Sequence, residues 1–123
     1  MKKIFILFLS LLTLSPSAYS QLNISLEGDL DYDEEMSDIW GYTDDLGNEY
    51  ALVGTTDGVS IVDISTPTDP TELHYIDGTF TLWRDLKTYG DYAYVINEAP
   101  DGGGLLIIDL SNVATSITTY TTD

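Results

Sequence analysis

Asp29, Asp31 and Asp33 alternate with Leu30 and Tyr32, the spacing of the first three oxygen ligands in a calcium-binding loop. The rest of the loop does not follow. Its sixth place holds Glu34 where a sharp turn needs glycine, and its twelfth holds Trp40 where a bidentate glutamate closes the cage. The oxygen-rich stretches Asp44–Glu49 and Glu98–Gly104 have the composition for weak calcium binding, with solvated acidic loops as the competing reading. No other cofactor is implied.

Catalytic chemistry has few carriers. His74 is the sole histidine, lies in a predicted outer strand and has no obvious nucleophile beside it in the sequence. Cysteine is absent, which removes thiolate nucleophiles, disulfides and zinc–thiolate sites. An extracellular glycan hydrolase built on Glu98 or Asp101 is one alternative, but the separation of paired carboxylates is not written in a sequence. The chain is therefore read as a non-enzyme. Trp40 and Trp83 are expected to be core or interface aromatics, with a ligand-stacking platform as the alternative. Arg84, the only arginine, is expected to form a salt bridge to a neighbouring structural unit through Asp38, or else to clamp an anionic ligand. Trp40, Trp83 and Arg84 are thus the candidate ligand contacts.

Lys2 and Lys3, an apolar run from Ile4 to Leu14 and the ending Ser17-Ala18-Tyr19-Ser20 predict a secretory signal peptide over residues 1–20. The run is too short to span a bilayer, which takes about 20 apolar residues. Removal of the leader leaves Arg84 and Lys87 against all 21 acidic residues. A chain so acidic repels nucleic acid and anionic membrane surfaces. It is expected outside the cell or on its surface, without a membrane span in the mature chain.

The elements that must position these residues show no helical period. Runs of Val, Ile, Tyr and Thr broken by Gly, Asp, Asn and Pro predict strands near Asp38–Thr43, Glu49–Gly54, Val59–Ile64 and Thr71–Ile76. A second set is predicted near Leu82–Tyr89, Tyr92–Asn97, Leu105–Leu110 and Ile117–Thr121. The sets align in order. Asp38 matches Asp85, Tyr42 matches Tyr89, Tyr50 matches Tyr92, and Ile61-Val62-Asp63 matches Ile107-Ile108-Asp109. Length differences fall in turns, where a repeated unit tolerates them. Asp63 and Asp109 each close an aliphatic strand before Ser, a place where a carboxylate accepts from turn N–H groups.

Four strands in about 45 residues match one blade of a β-propeller. The predicted fold is all-β: about two four-stranded antiparallel blades of an incomplete ring, after the signal peptide. The rival is one β-sandwich whose internal similarity is coincidental. The boundaries are a leader at 1–20, an acidic lead-in at 21–36, a first blade at 37–81 and a second at 82–123 that is truncated at its end. Propellers close with roughly 4–8 blades, so the chain reads as the N-terminal portion of a longer protein or as one completed by copies of itself.

The phrases SDIWGYTDDLGNEYALVGTTDGVSIVDIS (Ser37–Ser65), WRDLKTYGDYAYVINE (Trp83–Glu98) and GLLIIDLSNV (Gly104–Val113) resemble the LVIVD-repeat proteins, and more narrowly the choice-of-anchor B family of bacterial exported proteins. Val59-Ser60-Ile61-Val62-Asp63 and Leu105-Leu106-Ile107-Ile108-Asp109 are variants of the phrase that gives the repeat its name. The resemblance implies a propeller-like protein displayed at the cell surface, with no settled activity and no catalytic residues to carry over. The partners it implies are other repeats, copies of the chain, or an unidentified extracellular ligand or protein.

Overall fold

Tyr50 to Thr55 and Gly58 to Asp63 pair because two runs rich in β-branched residues flank the short Thr56-Asp57 turn. Thr55 secures that turn: its hydroxyl accepts from the Gly58 N–H at 3.0 Å. The same logic builds each sheet in the computed structural model, which describes residues 24–100 and 103–122. The first sheet contains β1 (Met36–Thr43), β2 (Glu49–Thr55), β3 (Gly58–Asp63) and β4 (Thr71–Asp77). The second contains β5 (Arg84–Tyr89), β6 (Tyr92–Asn97), β7 (Gly104–Asp109) and β8 (Thr118–Thr122). Every hydrogen-bonded neighbour is antiparallel and next in sequence, giving the orders β1-β2-β3-β4 and β5-β6-β7-β8. Gly90, at a φ of 56°, turns the tight β5–β6 hairpin that Tyr89 and Tyr92 close.

Leu82 and Trp83 fall outside β5, which begins at Arg84. The Thr81 hydroxyl accepts from the Trp83 N–H at 3.1 Å, holding this segment in a turn. No described residue is helical. The predicted leader, the first residues of the lead-in and Asp101 lie outside the described residues.

The two sheets meet along β1 and β5. Side-chain hydrogen bonds join Ser37 to Arg84, Asp38 to Leu86, Trp40 to Thr88 and Tyr42 to Asp91. The partners advance together, so β1 and β5 run side by side in the same direction. Beyond β1 and β2 against β5, no strands of the two sheets approach as closely, so the sheets splay from this spine as a wedge. Leu110 and Val113, in the β7–β8 connection, are buried in the wider part of the gap. At its far side a His74 ring nitrogen lies 2.6 Å from the Val113 carbonyl oxygen.

One apolar core fills the wedge. Tyr42, Tyr50, Leu52, Val59 and Ile61 come from the first sheet, and Leu86, Ala93, Val95 and Ile108 from the second. These contributions come from opposite faces of the repeat. Tyr50, Leu52 and Ile61 point into the seam, whereas their counterparts Tyr92, Tyr94 and Ile107 lie on the outward face of the second sheet. The packing is therefore head to tail, as in a stack of repeated units. A coincidental sandwich gives no reason for matched residues to occupy opposite sides of their sheets. Two unclosed four-stranded sheets in this relation are consistent with incomplete propeller blades.

The other face of the first sheet lies under the lead-in. The Tyr32 phenol donates to the Ser60 hydroxyl at 2.9 Å, and Ser60 donates to the Glu72 carboxylate at 2.6 Å. Val53, Ser60 and Val62 on this face are all buried. Burial, the largest influence, raises the pKa of Tyr32.

Leu86 has no exposed surface and faces Gly54 across the seam. Leu86→Ala is expected to lower stability by about 2–5 kcal/mol, read as a fall in the urea midpoint of the purified chain.

Candidate functional site

Several polar side chains bridge the two sheets along the edge of the seam. A register irregularity between Met36 and Asp38 interrupts β1, and here the Ser37 hydroxyl is within hydrogen-bonding reach of two carbonyls. It contacts Arg84 O at 3.0 Å and Gly54 O at 3.2 Å. The next residue, Asp38, accepts the Leu86 N–H at 2.9 Å. Asp38 is pushed up by burial, but backbone hydrogen bonds, chiefly from Leu86, outweigh this, with Lys87 adding its charge. The result is a pKa below the ordinary aspartate value.

Arg84 makes no ion pair with Asp38, contrary to expectation. Its guanidinium is buried and donates instead to carbonyl oxygens: Nε to Thr55 at 3.0 Å, and Nη2 to Thr79 at 2.8 Å and Thr56 at 3.4 Å. The planar fork ties the second unit to the β2–β3 turn of the first and to the connection between the sheets. With these donors committed, Arg84 is poorly placed to clamp an anion. Lys87 takes the ionic role, with Nζ at 3.6 Å from Asp38 and 3.5 Å from Asp85. The Asp85 contact is exposed on both sides and contributes little stability, whereas Asp38 is the more sheltered partner.

Trp40 sits on the spine. Its indole N–H donates to the Thr88 hydroxyl at 3.0 Å, and Lys87 Nζ lies 4.1 Å from the ring centroid. Trp83 does not enter the core. It is 68% exposed and lines a cleft at the mouth of the seam with Ser37, Asp38, Arg84, Asp85, Ile96 and Glu98, the Arg84 guanidinium being turned to the carbonyls named above. Thr81 fixes its backbone, and the Glu98 N–H reaches its carbonyl at 3.3 Å. The cleft thus presents an open aromatic ring beside carboxylates, a surface suited to neutral or cationic ligands rather than anions.

The repeated positions have local roles. Tyr50 stacks on Tyr42 with ring centroids 6.0 Å apart, and its hydroxyl donates to Asp44 at 3.2 Å. Burial, followed by the hydrogen bond to Asp91, pushes Tyr42 up to about 12. Tyr92, the counterpart of Tyr50, is exposed. Asp63 accepts the Ser65 N–H at 2.8 Å, and Asp109 accepts the Ser111 N–H at 3.0 Å. Asp44 is occupied by the N–H groups of Leu46 and Asn48 and by the Asn48 side chain. Among the described residues, no three acidic or histidine side chains converge to hold a metal ion.

Ser37, Thr88 and the seam role of His74 were not anticipated from the sequence. Ser37 aligns with Arg84, so repetition gives it no emphasis. The acceptor for His74 is a backbone carbonyl, which leaves no trace in residue type.

The model of the LVIVD repeat family matches the chain twice, over residues 41–77 and 83–121. No curated protein and no solved structure matches it.

Two measurements probe the seam. Arg84→Met strips donors from three carbonyls and is expected to lower stability by about 3 kcal/mol in urea unfolding. Asp38 has its folded pKa below the unfolded one, so its contribution exists above the unfolded value and disappears as pH falls through the folded value. The stability gap between the native chain and Asp38→Asn should therefore be full at pH 7, begin to narrow near about pH 4 and close only below the lower folded value.

Proposed function

The chain belongs to the LVIVD-repeat family, and from that premise we propose that it is an exported protein of the bacterial surface. In this reading it is a non-enzymatic propeller segment that binds an extracellular ligand at the mouth of the seam. The head-to-tail packing of the sheets carries the structural half of the reading, because it creates a rigid wedge with its cleft at one end. Export is supported by the leader-like residues 1–20 and by the scarcity of basic residues after them. The likeness of SDIWGY and WRDLKTYG to choice-of-anchor B proteins supports display at the surface.

The ligand expected at Trp83 is neutral or cationic, and carbohydrate is the first class to test. Arg84, Asp38, Asp63 and Asp109 are engaged by backbone partners within the fold, which favours structural rather than catalytic roles at these positions.

Expression with the native leader in a bacterial host should give a product removed by protease added to intact cells. Replacing Ala18 with a bulky residue should block leader cleavage and retain the longer form. On a carbohydrate array, Trp83→Ala should lose about tenfold in binding while the urea midpoint stays unchanged. Retention inside the cell would refute export, and unaltered array binding by Trp83→Ala would refute the cleft as the ligand site.

A further inference from the structure

The connection from β4 to β5 turns large apolar side chains outward. Phe80 is 63% and Leu82 53% exposed, while Thr81 between them and Arg84 after them are buried. The backbone here is firmly held. The Thr81 N–H donates to the Thr56 carbonyl at 2.9 Å, and the Gly78 N–H donates to the Asp57 carbonyl at 2.7 Å. Arg84 Nη2 adds its bond to the Thr79 carbonyl. The same turn holds the lead-in, since the Thr56 N–H donates to the Glu35 carbonyl at 2.9 Å.

These three segments line one open cleft. Phe80 and Leu82 come from the connection, Thr56 and Asp57 from the β2–β3 turn, and Asp33, Glu34 and Glu35 from the lead-in. Trp83 belongs instead to the neighbouring cleft with Ser37 and Glu98. Apolar side chains grouped on a fixed backbone and rimmed by polar groups mark a contact surface. Of the rim carboxylates, Asp33, Glu35 and Asp57 are exposed and Glu34 is half-buried. Among the described residues no lysine or arginine forms an ion pair with any of the four. Arg84, two residues after Leu82, has its donors committed to carbonyls. Nor do the carboxylates converge on one point: among the described residues no three acidic or histidine side chains are placed to hold a metal ion. Negative charge spread around an apolar floor complements an extended partner with several positive charges about an apolar centre.

We infer that this cleft docks a cationic peptide segment, a stretch centred on leucine or phenylalanine and flanked by lysine or arginine. Its apolar side chains cover Phe80 and Leu82. Its basic side chains lay their stems over the same surface and reach Asp33, Glu34, Glu35 and Asp57. Apolar contact supplies most of the affinity, while charge speeds the encounter and selects the partner. A neutral saccharide draws nothing from the four charges. The site is distinct from the Trp83 cleft and does not rest on the carbohydrate reading.

The probe is a fluorescein-labelled peptide, Lys-Lys-Leu-Phe-Leu-Lys-Lys, titrated with the purified chain and read by fluorescence polarisation. Two control peptides replace either its apolar residues by serine or its lysines by glutamate. The parent peptide should bind at least about tenfold more tightly than the serine control, and the glutamate control should not bind. Phe80→Ser combined with Leu82→Ser should weaken the parent peptide about tenfold, with the urea midpoint unchanged. Asp33→Asn, Glu34→Gln and Glu35→Gln together should weaken it about as much. Trp83→Ala should leave peptide binding within about twofold, so failure of the carbohydrate reading and failure of this one are told apart. No binding by the parent peptide overturns the inference. So does equal binding by the serine control, which would reduce the attraction to net charge, and so does silence of the Phe80 and Leu82 substitutions. A carbohydrate-array signal abolished by that same double substitution would make a saccharide the occupant and overturn it as well.

Discussion

One face of a repeated sheet packs against the opposite face of the next, and the rest of this molecule depends on that asymmetry. Leu86 fills a space that exists because Gly54 lacks a side chain, bringing the start of β5 close to β2. With the backbones this near, Asp38 can reach the Leu86 N–H and Ser37 can reach the Arg84 carbonyl. Burial along the spine makes these polar contacts consequential, because an unpartnered group there would carry its full desolvation penalty. Dispersion and hydrophobic burial hold the wedge; the hydrogen bonds set its register and direction.

The seam also orders the chemistry at its mouth. Arg84, committed to three carbonyls, locks the turn between β2 and β3 to the second sheet. Trp83 precedes it in sequence and turns outward, so a buried residue fixes the base of an exposed aromatic. Trp83 itself lies in the connection before β5, and the Thr81 turn together with the buried Arg84 fixes its backbone.

Much of the strand pattern was legible in the sequence because period and composition encode it directly. Val59 to Asp63 and Leu105 to Asp109 are strongly β-forming, and Gly90-Asp91 marks a hairpin. The direction of packing was hidden, since both faces of each repeat carry apolar residues and alternation alone does not say which one meets a neighbour. The contrast between Gly54 and Ile96 was the available clue. Charge matching misled at Arg84, because its partners are carbonyls that every residue possesses. Residue type misled at Trp83, where a Thr81 turn holds a large aromatic outside the core. The acidic composition of the lead-in gives no sign that Tyr32 reaches the buried Ser60, a contact with no sequence signature.

Proton NMR offers the most direct test of the head-to-tail seam. The account predicts a strong nuclear Overhauser effect between a Leu86 δ-methyl and the Gly54 α-protons, because a Cβ placed on Gly54 would lie 2.8 Å from Leu86 Cδ1. Absence of that signal, with Tyr94 and Ile107 side chains instead contacting Leu52 and Ile61, would place equivalent faces together and contradict it.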